Sequence, residues 1–178
     1  MSRINLVLAS LIVIGLMTGC GGSGSGSGKV SGEIYSTEIF SVLVPKGWKA
    51  FPYYQAGTET PRQNMVAVHK GAKEPNDMSE TPGIVINYFP DAKTVMTPRK
   101  SLYEDTADME PFTSGKYTWE GFTGVNNMIT RKMPVAVFWT TNAAELFQVV
   151  VWLENGGKKI ALDNADVQAI IAGISFPK

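Results

Sequence analysis

Apolar and polar side chains alternate along much of the chain after residue 29, and this two-residue period is typical of β-strands with one buried face. Aromatic and β-branched residues fill the alternating segments, while Gly, Pro and Asn separate them. The pattern predicts eight strands: Glu33–Tyr35, Phe40–Val44, Met65–His69, Gly83–Phe89, Thr113–Phe122, Val125–Lys132, Val135–Thr141 and Glu145–Glu154. The last of these has apolar residues on both faces, which indicates a central position in a sheet.

Two segments have the features of helices. Thr97 can accept a hydrogen bond from a free amide and Pro98 has no amide to leave unpaired, so a helix is predicted from here to about Met109. A second predicted helix is capped by Asp163 or Asn164 and has apolar residues at helical spacing: Val167, Ile170, Ile171 and Ile174. The order of strands, helix, strands and helix predicts an α+β fold, in which an antiparallel sheet has helices packed against it.

The first twenty residues have a different pattern. Ile4–Met17 is almost entirely apolar and follows Arg3, as in a secretory signal. As a helix, these fourteen residues would extend about 21 Å, whereas a hydrocarbon core is roughly 30 Å thick, so a permanent membrane span is disfavoured. The stretch Leu16–Cys20, in which small Thr18 and Gly19 directly precede the cysteine, resembles a bacterial lipobox.

The lipobox resemblance implies a covalent lipid on Cys20. In that family the thiol is alkylated with diacylglycerol and the chain is cut just before the cysteine, which makes residues 1–19 a signal peptide here. Several acyl chains on one residue are a stable membrane anchor. We therefore expect a lipoprotein on the extracytoplasmic side of the cell envelope. The alternative is an ordinary secretory signal cut near Gly22, which would leave a freely soluble protein.

A tether and one domain are predicted to follow the lipid. The segment Gly21–Gly28 contains only Gly and Ser, and chains of this composition behave as flexible coils with a typical reach of about 16 Å for eight residues. An engineered joint would have the same composition. Residues 29–178 have the usual length of one domain with one core, so the predicted division is 1–19, 20–28 and 29–178.

The composition excludes several classes of function. Sixteen basic and sixteen acidic side chains balance, and the basic ones are scattered, so the positive stripe expected of a nucleic-acid-binding protein is missing. Cys20 is the only cysteine, and once lipidated it leaves no thiol for a disulfide, a nucleophile or a metal site. His69 is the only histidine and is interpreted as a structural or surface residue, because no second histidine or cysteine is present to complete a metal or catalytic site.

The serines and carboxylates do not form a catalytic pattern either. The serines considered lack the G-x-S-x-G setting of a nucleophile elbow: Ser41, Ser101 and Ser114. Three carboxylates are predicted to share one solvated helix face: Glu104, Asp105 and Asp108. Asp163–Asp166 lacks the glycine and the distal glutamate of an EF-hand loop, and helix capping explains it better. We therefore expect a protein that is not an enzyme and holds no metal or cofactor.

A turn motif near the start of the domain resembles a known family. Phe40–Trp48 follows the pattern F-x-V-x-x-P-x-G-W of the PsbP-like fold, which is shared by photosystem extrinsic subunits, a nuclear-transport cofactor and many bacterial lipoproteins. The closing helix, with Ile170, Ile174 and Phe176, is similar to the end of that family as well. The resemblance implies a PsbP-like α+β sandwich whose characterised relatives are non-catalytic subunits that bind other proteins. No functional residue is carried over from it.

The segment Phe51–Tyr54 is the best candidate for a contact surface. Its tyrosines follow a predicted strand in a loop rich in Gln, Gly and Thr, and exposed tyrosines are frequent at interfaces. The hypothesis is that Phe51, Tyr53 and Tyr54 border a partner or ligand surface; the alternative is that they pack on neighbouring loops. The expected function is that of a lipid-anchored, non-catalytic envelope protein that acts as an accessory or binding subunit through protein contacts. A small-molecule-binding lipoprotein with a pocket between sheet and helix is the alternative.

Overall fold

The computed structural model describes residues 30–90, 98–127, 131–141 and 146–176. The predicted signal peptide, the lipobox with Cys20 and the Gly/Ser tether lie outside these residues, so they stay predictions. Within the described ranges, no helix has both the length and the apolar character needed to cross a bilayer.

The domain is built mainly from antiparallel β-strands. The described residues contain nine longer strands and a short hairpin: β1 (Gly32–Ser36), β2 (Ser41–Pro45), β3 (Trp48–Tyr54), β4 (Pro61–Lys70), β5 (Gly83–Phe89), β6 (Tyr103–Ser114), β7 (Tyr117–Asn126), β8 (Met133–Thr140), β9 (Leu146–Trp152), β10 (Glu154–Asn155) and β11 (Lys158–Lys159). Seven of them form one sheet in the order β3-β4-β5-β9-β8-β7-β6, β1 pairs with β2, and β10 pairs with β11. The strand pairs of the large sheet are all antiparallel.

Strand β9 occupies the middle of the seven-stranded sheet, which confirms the prediction made from its two apolar faces. Phe147, Val149 and Val151 are fully buried on one face, which we call the inner face. Val150 and Trp152 point to the opposite face, the outer face, where they pack beside a smaller buried cluster. The sheet therefore separates a large hydrophobic core on its inner face from a small one on its outer face.

One α-helix closes the inner face in the described part of the chain. Helix α1 (Ala165–Ala172) begins after Asn164, whose side chain accepts a hydrogen bond from the Asp166 amide at 3.0 Å, and Gly173 ends it. The start of the helix agrees with the sequence prediction, and Asn is among the preferred N-cap residues. The predicted apolar side chains of the helix are buried in the main core together with residues of β2 and the sheet: Val167, Ile170, Ile171 and Ile174.

The predicted helix from Thr97 to Met109 is wrong. A short 3-10 helix (Lys100–Leu102) leads directly into β6, which pairs with β7 at the sheet edge; Thr97 itself lies outside the described residues. Strand β6 is mostly exposed, so its residues are polar on both sides and the two-residue period that marks a strand is hidden. Two register shifts, between Glu104 and Ala107 and between Met109 and Phe112, interrupt the period further. With one α-helix in the described ranges, the fold is dominated by its sheet, and the α+β prediction holds only in this coarser form.

Two predicted strands have different bounds in the structure. The segment predicted as Thr113–Phe122 turns at Gly115, whose φ of 61° belongs to the left-handed region that glycine tolerates best. Strand β6 therefore ends before this turn and β7 begins after it. Strand β7 ends at Asn126 and β8 begins only at Met133. Of the predicted strand Val125–Lys132, the first two residues belong to β7, residues 127, 131 and 132 are not in a strand, and residues 128–130 lie outside the described ranges.

The turn between β2 and β3 connects the β1–β2 pair to the seven-stranded sheet. Pro45 ends β2, Gly47 adopts a φ of 84°, and Trp48 begins β3 with only 7% of its surface exposed. The Trp48 indole Nε1 donates a hydrogen bond to Asp166 Oδ2 at 3.0 Å. Trp48 therefore covers the core and also links the first turn of α1 to the sheet.

Candidate functional site

The segment Phe51–Tyr54 lies in strand β3, whereas the sequence predicted a loop for its two tyrosines. Phe51 is paired with Ala67 of β4, and only 3% of its surface is exposed. It therefore offers almost no surface to a partner. The register between β3 and β4 shifts between Pro52 and Tyr54, which breaks the alternation near the strand end. Tyr53 is half-buried there, and Tyr54 is 51% exposed. Of the three predicted residues, Tyr54 is therefore the one available to a partner.

A groove lies beside this strand end, between the β3–β4 hairpin and the turn that follows β1. We call it the hairpin groove; its volume is about 650 Å³. The Glu38 amide donates a hydrogen bond to Gln63 Oε1 at 3.0 Å, which holds the turn against β4. The groove is lined mainly by polar side chains together with one isoleucine and one proline: Glu38, Ile39, Gln55, Thr60, Pro61, Arg62, Gln63 and Asn64. A surface of this kind offers hydrogen bonds of both polarities to a partner.

The hydroxyls of Tyr35 and Tyr53 are neutral at physiological pH. Burial raises the pKa of Tyr53 above its usual value of 10.0. The pKa of Tyr35, on β1, is raised first by burial and second by the nearby Tyr54 hydroxyl, whose ionised form would repel a second negative charge. Tyr35 and Tyr54 therefore lie close enough to interact. These groups act as hydrogen-bond donors and aromatic contacts, and not as bases.

His69 is a buried structural residue of the outer face. Its Nδ1 lies 3.1 Å from the Thr81 carbonyl oxygen, and its ring meets the Trp152 ring edge-on with centroids 5.8 Å apart. The ring lies against Gly83, where a Cβ atom would come within 2.6 Å of it. Burial lowers the pKa of His69 below 6.5, while the hydrogen bond to Thr81 raises it by less. The histidine is therefore neutral at pH 7, in keeping with its structural interpretation.

The predicted acidic face of Glu104, Asp105 and Asp108 does not exist, because these residues lie on β6 and not on a helix. Glu104 Oε2 pairs with Lys132 Nζ at 2.6 Å, and Asp108 pairs with Lys100. The hydrogen bond from Lys132 lowers the pKa of Glu104. Across the described ranges, no three His, Cys, Asp or Glu side chains converge as they would around a metal ion.

A second groove, which sequence reasoning missed, lies between the β1–β2 pair and the end of α1. We call it the base groove; its volume is about 580 Å³, and it is lined by residues 30–32, Leu43, Ala169, Ala172 and Gly173. Beside it, Ile34 is 64% exposed. One signal of this exposure was present in the sequence. Ile34 and Tyr35 are consecutive, so a strand through them must direct one large apolar side chain to each face.

Comparisons with known proteins relate this chain to others by fold alone. No protein-family model matches the sequence, and no curated protein is significantly similar to it. A crystal structure from Bacteroides thetaiotaomicron is similar at 12% identity and a TM-score of 0.50, covering 83% of this chain and 49% of that one. The chain thus spans about half the length of that protein. The solution structure of cyanobacterial PsbP (CyanoP) from Synechocystis matches at 15% identity and a TM-score of 0.42, covering 88% of this chain and 98% of that one.

Proposed function

We propose that this chain is a lipid-anchored, non-catalytic protein of the cell envelope that acts as an accessory or binding subunit through protein contacts. The anchor is a diacylglycerol on Cys20, and it is supported by the short apolar segment and the small residues before the cysteine. The lipid holds the domain at the extracytoplasmic side of a membrane, where its partners are other envelope proteins.

The observation that supports protein binding best is the position of Tyr54. This side chain is half exposed at the end of a strand, beside the polar hairpin groove and close to Tyr35. Tyrosine is enriched at the centres of protein interfaces, because it brings a large apolar ring and a hydroxyl at a low cost in conformational entropy. The shape and polarity of the groove suit a polar loop or an extended segment of a partner.

A PsbP-like fold is part of the same proposal. It is supported by the turn from Pro45 to Trp48, in which Gly47 has a left-handed conformation and the tryptophan covers the core. Similar turns occur in unrelated sheets, but here the tryptophan also donates a hydrogen bond to Asp166 at the start of the closing helix. Motif and closing helix are thereby joined in one structural unit.

The alternative of a ligand pocket between sheet and helix is less well supported. Large side chains with no exposed surface fill that interface: Phe40, Trp119, Phe138, Phe147 and Ile170. A ligand would have to displace one or more of them, and protein interiors tolerate such changes poorly. We therefore place binding at the surface.

Site-specific photocrosslinking in intact cells tests the proposal. A benzoylphenylalanine at position 54 should capture one dominant membrane protein, whereas the same group at Glu110, which is exposed on the opposite edge of the sheet, should not. Equal patterns from both positions, or no adduct from position 54, would contradict protein binding at the hairpin groove. Mass spectrometry of the mature chain tests the lipid on Cys20 separately.

A further inference from the structure

The most exposed large apolar side chain in the described part of the molecule is Ile34, and it lies beside an apolar groove. In the antiparallel pair of β1 and β2, Ile34 is directly opposite Leu43. Residues directly opposite each other in such a pair project to the same face. Leu43 lines the base groove, so Ile34 extends the apolar surface of that groove outward. We call the two together the base patch.

The base patch carries no charge of its own. The residues that line the groove are aliphatic, glycine or serine, and none of them is ionisable. Helix α1 contributes Ala169 and Ala172, whose small side chains leave the groove open. Close packing of Gly173 against Leu43, where a Cβ atom would come within 2.7 Å, fixes the helix end to the strand pair. The patch is thus a preformed apolar surface on a rigid support.

The position of the base patch along the chain indicates what covers it. Its groove is lined in part by Val30, which is only ten residues after Cys20. Ten residues span at most about 35 Å when fully extended, and a Gly/Ser chain of this length typically spans about 17 Å. A lipid on Cys20 would therefore keep the base patch within reach of the bilayer. The hairpin groove, by contrast, is lined by Glu38 and Ile39, which lie beyond the other end of β1.

We propose that the base patch rests on the membrane, with the Ile34 side chain inserted at the headgroup boundary and the base groove facing the acyl chains. This inference rests on the proposed lipidation of Cys20 and deepens it by assigning an orientation. An exposed apolar side chain on a lipid-anchored domain meets the bilayer at a high local concentration, which makes even weak insertion effective. The orientation directs the hairpin groove away from the membrane and toward partners.

Fluorescence labelling of the full-length, lipidated protein tests this orientation. Since Cys20 is consumed by the lipid, an Ile34→Cys variant has a single free thiol, which is labelled with the environment-sensitive dye NBD. Glu110, an exposed residue of the edge strand β6 that does not line the base groove, provides the matched control as Glu110→Cys. Both proteins are reconstituted in vesicles of phosphatidylethanolamine and phosphatidylglycerol, and their melting temperatures are compared with that of the unmodified chain.

The expected result is a several-fold higher NBD fluorescence at position 34 than at position 110, with strong quenching of the position 34 label by doxyl groups in the lipid. Equal exposure of both labels to iodide in the water would overturn the orientation and leave the lipid anchor intact. Shielding at position 34 without quenching by doxyl lipids would identify a protein contact there and would also overturn it. Failure of the full chain to float with the vesicles would overturn the anchor, and the orientation with it.

Discussion

The two faces of the seven-stranded sheet differ in how they are covered. The inner face is closed by α1 and the β1–β2 pair and carries most of the large buried rings. The outer face has a smaller buried cluster of Phe122, Val135 and Val137, and its remaining cover is partial. It also contains the buried histidine. The comparison indicates that stability is concentrated on one face, which leaves the other face more tolerant of change.

Replacement of one buried phenylalanine on each face is the strongest test of this difference. Phe147→Ala should lower the free energy of unfolding by about 3–5 kcal/mol, because it leaves a cavity among well-packed rings. Its ring lies 5.5 Å from Phe40, 5.0 Å from Tyr88 and 5.4 Å from Tyr117. Phe122→Ala should cost about 3 kcal/mol, since its partly exposed neighbours can relax into the space. Urea denaturation measures both, and a larger loss for Phe122→Ala would contradict the comparison.

A smaller effect is expected at the helix that covers the inner face. Asn164→Ala removes the side-chain acceptor of the Asp166 amide and should cost about 1 kcal/mol. Asp163→Ala is the matched control, because the helix begins after Asn164 and the Asp163 side chain is not its cap. Its stability should lie within about 0.5 kcal/mol of the parent. If thermal unfolding shows equal losses of stability in the two variants, the Asn164 side chain does not stabilise α1 as its cap.

The outer face should be sensitive to acid through His69. Because burial holds the pKa of folded His69 below 6.5, the unfolded chain binds more protons than the folded chain as the pH falls through 6.5. The contribution of His69 to stability is therefore complete above pH 6.5 and is lost as the pH falls toward the folded-state pKa. Unfolding curves at a series of pH values should show this loss in the parent and a weaker one in His69→Gln. Parallel pH profiles in both proteins would contradict a buried neutral histidine.

The smallest effect on stability is expected at the hairpin groove, outside both cores. Tyr54→Ser should change the free energy of unfolding by less than about 0.5 kcal/mol, because half of the side chain is already exposed. Capture of a partner from detergent-solubilised membranes should fall at the same time. Tyr53→Ser serves as a contrast, since Tyr53 is half-buried and its loss should lower the melting temperature. A drop in stability for Tyr54→Ser equal to that for Tyr53→Ser would argue for a structural role of both.

The parts of the fold that the sequence predicted well are those with strong local signals. The alternation in β9 located the central strand, and Asn164 with the apolar spacing after it located α1. The helix predicted to Met109 failed because an exposed edge strand has no apolar face to reveal its period. Edge position is a property of the whole sheet, so no local pattern contains it.

The site was predicted only in part for a related reason. Tyr54 is exposed as expected, but strand β3 was not predicted, and the burial of Phe51 depends on the pairing of that strand with β4. The base groove arises where β1–β2 meets α1, and these elements are more than a hundred residues apart in sequence. The lipid on Cys20 remains a prediction from local sequence.

The hydrogen bond from Trp48 to Asp166 joins residues 118 positions apart. Ser41 and Ser175 are likewise linked by backbone hydrogen bonds of 2.7 and 3.0 Å, which tie β2 to the last described residues. During synthesis from the amino end, the main core therefore cannot close before Asp166 and Ser175 are available. Such distant contacts slow folding, since long loops must close before they are stabilised. Until α1 and Ser175 pack against β2 and β3, the apolar side chains of the main core stay exposed.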